Sequence, residues 1–349
     1  MVQAAAGLGQ HGAAGLVRRV HRPEITCNPL SSWVACKVAL PGVAPPGPCR
    51  RTGAHPDRPR PAPGQHGFRT TMKKGILLAA FGSGTPQGQS TLRLFDERVR
   101  ALFPGVPVRW AFTSVVMRHR LAVARKKTDS VQKALRKMWF EKYTHVAVQS
   151  LHSIPGAEYA DLLADVEAMR GPCAGEDGSG QGGFERATVG APLLDSDEDI
   201  RRASAALLAH LPPERAPGDA CVFMGHGTWH EGESRYEALS AQVRERDPLV
   251  HIGTMDGACT IDDILPRLEA AGMRRAWLLP LLSVVGRHAV RDMAGDEPDS
   301  WRSRIVAAGM ECVPVLRGTA EYGGFVDIWL DHLGVAFRAL DADAGQDRD

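Results

Sequence analysis

The 349-residue sequence contains no uninterrupted run of eighteen apolar residues, and it therefore predicts no membrane-spanning helix. Its seven cysteines are scattered and form no CxxC or CxxCH motif, which argues against a disulfide framework and c-type haem attachment. This cysteine usage favours a reducing compartment, and we expect a cytoplasmic protein. A Walker A lysine motif and a GxSxG nucleophile elbow are also missing, so nothing supports P-loop nucleotide hydrolysis or serine-hydrolase chemistry.

Most of the chain carries a small net negative charge. Residues 1–71 hold nine Lys and Arg against two Asp and Glu, a net charge of +7, so the remaining chain carries −5 of the total of +2. A nucleic-acid-binding protein needs a basic surface on its folded part, whereas this part is mildly acidic. We therefore expect no nucleic-acid partner.

Residues 1–71 also differ from the rest in composition. They contain ten of the 24 prolines and show neither helical nor strand periodicity. Such a segment buries too little apolar surface to fold, and we interpret it as a disordered extension, which a start codon assigned too far upstream would explain. Met72 lies just before the first predicted strand and is the expected natural start of the protein.

From residue 72 onward, predicted strands and helices alternate. Repeated βα units indicate mostly parallel sheets flanked by helices. About four strands lie on each side of residue 190, which predicts an α/β fold of two similar domains, residues 72–194 and 195–345, with the site in the cleft between them. The predicted strands are residues 76–81, 108–112, 146–148, 187–189, 221–224, 250–255, 275–279 and 312–315.

Three consecutive strand ends in the second domain carry polar residues suited to chemistry. The segment 222–228 (VFMGHGT) places His226 between two glycines, the next strand runs into Asp256, and the one after it leads to His288. Ligands of open α/β sheets bind at the carboxyl ends of the strands. Two imidazoles and a carboxylate suit a divalent first-row metal, and a neutral imidazole is a natural base near pH 7. The alternative is two loop histidines with local hydrogen bonds and an aspartate that caps a helix.

Several segments resemble the anaerobic-type sirohydrochlorin cobalt chelatases, a family related to the ferrochelatases. The resemblance runs from residue 72 to about residue 340, and its motifs match in the same order. These motifs are residues 111–114 (AFTS), 149–152 (QSLH), 156–159 (GAEY), 190–194 (GAPLL), 222–228 (VFMGHGT), 286–289 (GRHA) and 292–294 (DMA).

The resemblance implies a lyase that inserts Co²⁺ into the tetrapyrrole sirohydrochlorin without ATP and with release of two protons, in anaerobic cobalamin biosynthesis. Co²⁺ is then the substrate metal, with Fe²⁺ or Ni²⁺ as alternatives, and no organic cofactor is expected. By resemblance, His226 is a metal ligand and proton acceptor, and His288 is the second imidazole ligand. The family's third ligand is a glutamate, where this sequence has Asp256, which keeps the carboxylate but shortens its reach by one methylene.

Glu158 and His152 are further candidates from the first domain. Glu158 follows Gly156 at a predicted turn into a helix, where it either takes part in proton removal or supplies ordinary first-turn helix charge. His152 ends a predicted strand, where it either faces the cleft and binds substrate or packs against Tyr159.

Ser83 and Arg118 are candidate substrate-binding residues. Ser83 lies in a Gly-Ser-Gly turn after the first strand, which lacks the full GxGxxG pattern and is therefore only a weak dinucleotide signal. Arg118 is a candidate because sirohydrochlorin carries eight carboxylates and needs cationic partners. The run of Arg118, His119 and Arg120 is, however, more typical of a solvated helix face.

Two alternatives to cobalt insertion remain open at this point. Insertion of Fe²⁺ into sirohydrochlorin, toward sirohaem, would use the same donor atoms, because geometry and metal supply decide selectivity more than affinity does. A carrier of metal or tetrapyrrole would need the ligands but no base. Two strand-end histidines together with Glu158 favour the enzyme. The sequence is compatible with a homo-oligomer and gives no indication of a membrane partner.

Overall fold

The computed structural model describes residues 72–171 and 183–342, and the predicted extension at residues 1–71 lies outside this part. In the described part, eight strands form two four-stranded sheets, and every strand pairing is parallel, as the βα alternation predicts. The strands are β1 (Lys74–Ala80), β2 (Val108–Phe112), β3 (His145–Ser150), β4 (Arg186–Gly190), β5 (Ala220–Gly225), β6 (Val250–Thr254), β7 (Arg275–Pro280) and β8 (Glu311–Pro314).

The two sheets have the same strand order. The first sheet runs β2-β1-β3-β4 and the second runs β6-β5-β7-β8, so β5 occupies in the second half the place that β1 occupies in the first. We call the parts that carry these sheets the first half and the second half. This repeat confirms the predicted fold class. The domain boundary after residue 194 stays a prediction, because contacts join all the described residues into one compact unit.

Helices follow the strands and cover the sheets. They are α1 (Pro86–Leu102), α2 (Val115–Val123), α3 (Val131–Phe140), α4 (Ala157–Glu167), α5 (Asp197–Ala209), α6 (Ser234–Arg244), α7 (Ile261–Ala270), α8 (Trp301–Ala307) and α9 (Gly323–Ala339). A π-helical segment, His288–Met293, lies between β7 and α8. Within the described residues, no helix is both long and apolar enough to cross a membrane.

Both faces of each sheet are buried, which explains why the strands read as continuous apolar runs rather than alternating ones. Along β1, Ile76 and Leu78 join the central apolar core, whereas Leu77 and Ala79 join a separate core under the outer helices. The second sheet repeats this arrangement, with Phe223 in the central core. The central core contains residues of both halves and therefore holds them together.

The last helix, α9, packs against β3 and β4 of the first sheet, although the predicted boundary assigns it to the second domain by sequence order. Its Trp329 is fully buried and meets Phe95 of α1 edge-on, with ring centroids 6.2 Å apart. Thr188 on β4 donates its hydroxyl hydrogen to the Ala336 carbonyl at 2.8 Å. The chain therefore returns to its first half before it ends.

Candidate active site

A cavity of about 750 Å³ lies at the carboxyl ends of the strands and takes its walls from both halves. The first half contributes the loop after β1, helix α2 and the start of α4, and the second half contributes the loop after β5 and the π-helical segment. Its volume is within the range of small-molecule and cofactor sites. Apolar side chains such as Phe81, Met117 and Val284 form much of the wall.

His226 follows β5 directly and lines the cavity. Gly227 behind it has a φ of 84°, a left-handed conformation that glycine adopts without strain. A Cβ at Gly227 would also lie 2.8 Å from the Thr254 Cβ, so this turn requires glycine for space as well. The His226 Nδ1 lies 3.1 Å from the Gly227 carbonyl oxygen. Because a carbonyl only accepts, Nδ1 carries the hydrogen, and Nε2 keeps its lone pair for a metal or a proton.

His288 stands beside His226, with ring centroids 5.1 Å apart and ring planes nearly perpendicular at 84°. It begins the π-helical segment after β7, and Asp292 in the same segment accepts from its Nδ1 at 2.6 Å. This hydrogen bond leaves the Nε2 lone pair of His288 available and orients the ring, as carboxylates commonly do for metal-binding imidazoles. The two rings thus present two donor nitrogens in one place.

Glu158 lines the same cavity from the first turn of α4. Desolvation by the cavity wall raises the pKa of its carboxyl group, and the charge of nearby His226 opposes that rise. A carboxyl group whose pKa is raised toward neutrality is better suited to exchange protons.

His152 lines the cavity but is buried and held by hydroxyl groups. Its Nδ1 lies 2.8 Å from the Ser150 Oγ, and its Nε2 lies 3.3 Å from the Thr113 Oγ1. Burial lowers the pKa of this imidazole to about 4, so it is neutral at physiological pH. Glu158 approaches it to 3.9 Å, beyond hydrogen-bonding distance. Because both ring nitrogens are engaged, His152 is a wall residue, and its proposed contact with substrate stays a prediction.

Asp256 is exposed and is not among the residues that line the cavity. Its backbone N–H donates to the His226 carbonyl oxygen at 3.1 Å, which ties the two loops together. Across the described residues, no group of three or more His, Cys, Asp or Glu side chains is arranged to hold a metal ion. Metal ligation by Asp256 therefore stays a prediction.

The structure places Ser83 and Arg118 away from the cavity. Ser83 is fully buried, and its neighbour Thr85 donates to the Val285 carbonyl at 2.6 Å, so this turn joins the first half to the loop before His288. Arg118 donates to the carbonyl oxygens of Phe112 and Thr113 at 2.5 and 2.7 Å. It lines a separate cavity of about 390 Å³. A substrate contact of either residue stays a prediction, and these contacts favour a structural role.

The sequence predicted no functional role for three residues that line the cavity. Arg120, two positions after Arg118, lines the cavity, and so do Arg287 and Asp292. The spacing of His288 and Asp292, four residues apart, is a signal for a helical side-chain pair that could have identified Asp292. Nothing in the sequence distinguishes Arg120 from Arg118, because the orientation of α2 on the cavity decides between them.

A family model and two known proteins match most of this chain. A sequence model of the family described as Cobalt chelatase (CbiK) matches residues 74–338. The chain is 70% identical over 269 residues to the sirohydrochlorin cobaltochelatase CbiKC of Nitratidesulfovibrio vulgaris, covering 77% of this chain and 92% of that protein. It is 31% identical over 268 residues to the sirohydrochlorin cobaltochelatase of Salmonella typhimurium, covering 75% and 96%. Among solved structures, SirB from Bacillus subtilis with Fe³⁺ aligns with a TM-score of 0.49 and 16% identity, covering 76% and 96%.

Proposed function

Because this chain belongs to the cobalt chelatase (CbiK) family, we propose that it inserts Co²⁺ into sirohydrochlorin, without ATP, as a step of cobalamin biosynthesis. The observation that carries the mechanism is the pair of imidazoles, His226 and His288, which line one cavity with ring centroids 5.1 Å apart and use only Nδ1 in local hydrogen bonds. A divalent ion held by two nitrogens keeps open positions, through which the pyrrole nitrogens of the ring replace its water ligands.

Metal insertion must also remove two protons from the ring nitrogens. An imidazole that releases the metal to the ring can accept one proton, and we assign this role to His226 because Glu158 lies near it. Glu158, with its raised pKa, is the second proton acceptor. Asp292 holds the His288 ring in place by accepting a hydrogen bond from its Nδ1.

Asp256 is proposed as a third ligand that completes the site only when its loop moves toward the metal. Its exposure and its backbone link to His226 support a position near the rim of the site. Asp256→Glu should bind Co²⁺ at least as tightly as the wild type because the longer side chain reaches further, and Asp256→Ala should bind it more weakly. Isothermal titration with Co²⁺ measures both, and equal affinity of wild type and Asp256→Ala would remove this residue from the metal's ligands.

The proposal includes the cytoplasm as the location, because the cysteines suit a reducing compartment. Cobalt is proposed as the metal on the strength of the family and of the 70% identical relative. The donor atoms alone do not select cobalt over iron or nickel, since all three bind imidazole nitrogen.

An anaerobic assay with purified protein, sirohydrochlorin and Co²⁺ tests the function directly. We expect multiple turnovers by the wild type and a loss of about 10²-fold or more in rate for His226→Ala and His288→Ala. His119→Ala is a matched control, because this exposed histidine on α2 does not line the cavity. Metalation that stops at one equivalent would identify a carrier, and wild-type rates in both histidine variants would refute the assigned site.

A further inference from the structure

Two arginines from opposite halves line the cavity. Arg120 comes from α2 in the first half, and Arg287 precedes the π-helical segment in the second. Among the described residues that line the cavity, they are the only side chains with a permanent positive charge.

Within the described residues, both guanidinium groups lack a bonding partner. Arg120 and Arg287 are exposed, and neither side chain makes a hydrogen bond or an ion pair within the described part of the chain. Their neighbours differ, since Arg118 donates to two carbonyl oxygens and Arg291 lies 3.7 Å from the Glu297 carboxylate. Of these four arginines, the two that line the cavity are the ones whose side chains have no partner.

The acidic groups in the cavity oppose the binding of an anionic ligand unless positive charges offset them. Glu158 and Asp292 both line it, and a ring that carries carboxylates would be repelled by them. Arginine binds carboxylate through two parallel hydrogen bonds, which fixes orientation as well as supplying attraction. Arg287 also directly precedes His288, so a carboxylate bound there would set the position of the ring relative to the imidazoles.

We propose that Arg120 and Arg287 form a two-point carboxylate clamp that selects highly carboxylated tetrapyrroles and orients the ring over His226 and His288. This inference rests on the proposed function, because it takes the ligand of the cavity to be a tetrapyrrole. The clamp acts in binding, and the metal chemistry belongs to the histidines.

The experiment measures metal-free binding of two porphyrins that share one ring but differ in acidity, uroporphyrin with eight carboxylates and coproporphyrin with four. Porphyrin fluorescence reports the dissociation constants. We expect the wild type to prefer uroporphyrin, and Arg120→Gln and Arg287→Gln each to weaken uroporphyrin binding by about 10-fold or more, the scale of a lost charged hydrogen bond. Coproporphyrin binding should change less, and the preference should shrink at high salt.

Arg291→Gln is the matched control, because this arginine lies four residues after Arg287 but does not line the cavity. With sirohydrochlorin and Co²⁺, the two clamp variants should raise KM, and kcat should fall far less than in His226→Ala or His288→Ala. Equal wild-type affinity for the two porphyrins, or unchanged uroporphyrin affinity in the double variant, would overturn the clamp. Carboxylate-selective binding without any metalation would instead support the clamp and overturn the proposed function.

Discussion

Phe81 and His226 occupy the same place in the two halves of the molecule. Each follows the strand at the second position of its sheet, β1 or β5, and each precedes a glycine with positive φ, 99° at Gly82 and 84° at Gly227. The two rings lie next to each other, with centroids 6.3 Å apart and ring planes tilted by 44°. The fold therefore supplies two equivalent turns, and the side chain at each turn decides which one carries imidazole chemistry.

A second comparison shows that a histidine at a strand end is not sufficient. His152 follows β3 closely, as His226 follows β5, yet hydroxyl groups engage both of its ring nitrogens and burial keeps it neutral. His226 uses only Nδ1 in a local hydrogen bond. The difference lies in the neighbouring side chains, Ser150 and Thr113, and not in the strands.

Replacing the residue of one half by that of the other gives the largest expected effect. His226→Phe should lower the metalation rate by about 10²-fold or more, because it removes a donor nitrogen and a base. The melting temperature should stay close to that of the wild type, since phenylalanine already occupies the equivalent turn. Anaerobic absorbance assays and thermal unfolding measure the two quantities. A double exchange, Phe81→His with His226→Phe, that regained wild-type activity would show that the two turns are interchangeable.

Asp292→Asn tests what makes His288 differ from an ordinary loop histidine. The substitution keeps the shape of the side chain but removes the charge that holds the Nδ1 hydrogen, and we expect Co²⁺ affinity to fall about 10-fold. Isothermal titration measures this affinity. Asp296→Asn is the control, because Asp296 pairs with Arg302 and does not line the cavity. If both variants bind Co²⁺ with wild-type affinity, Asp292 does not orient His288 for metal binding.

The two glycine turns should differ in their tolerance of alanine. A Cβ at Gly227 would meet the backbone of Asp256 at 2.9 Å, whereas at Gly82 it would meet the Phe112 ring at 2.9 Å. A side chain can move more easily than backbone, so Gly227→Ala should lose more unfolding free energy than Gly82→Ala. Gly105 has a φ of 79°, and nothing lies within 4 Å of a Cβ built on it. Gly105→Ala therefore measures the backbone strain alone, which costs about 1 kcal/mol. Urea denaturation would contradict this account if the three losses were equal.

His152 should affect the pH dependence of stability rather than the metalation rate. Its folded pKa of about 4 lies below the ordinary value of 6.5, so between these values the unfolded chain binds the proton more readily. The contribution of His152 to the free energy of unfolding is thus fully present above about pH 6.5 and is lost as the pH falls toward 4. His152→Gln should reduce the difference in unfolding free energy between pH 7 and pH 5, whereas exposed His119→Gln should not. The buried, neutral state of His152 is refuted if the two variants behave alike.

The fold could be predicted largely from the sequence because both faces of each sheet are buried. The apolar runs gave β5 as residues 221–224 and β6 as residues 250–255, and the structure has Ala220–Gly225 and Val250–Thr254. The return of helix α9 to the first sheet, in contrast, depends on tertiary packing. Local patterns do not contain that information.

Less of the site than of the fold could be predicted from the sequence. Strand-end placement predicted that His226 and His288 would meet, although His288 lies in a π-helical segment eight residues beyond β7. That segment has no recognisable periodicity in so short a sequence. Arg118 and Arg120 are two positions apart on one helix, so they point in different directions, and only the packing of α2 shows which one faces the cavity. Burial of Ser83 depends on Val285, 202 residues away, and is equally invisible to local reasoning.

The return of α9 to the first sheet constrains how the protein is made. Strands β3 and β4 leave the ribosome long before residues Gly323–Ala339, which cover them. Domains usually complete their folding in the order of synthesis. Here the first half keeps an uncovered apolar face until α9 has been synthesised, so its folding is completed only after the strands of the second half have been made. Ribosome-bound chains that stop short of α9 therefore present that face to chaperones, whatever the state of the second half.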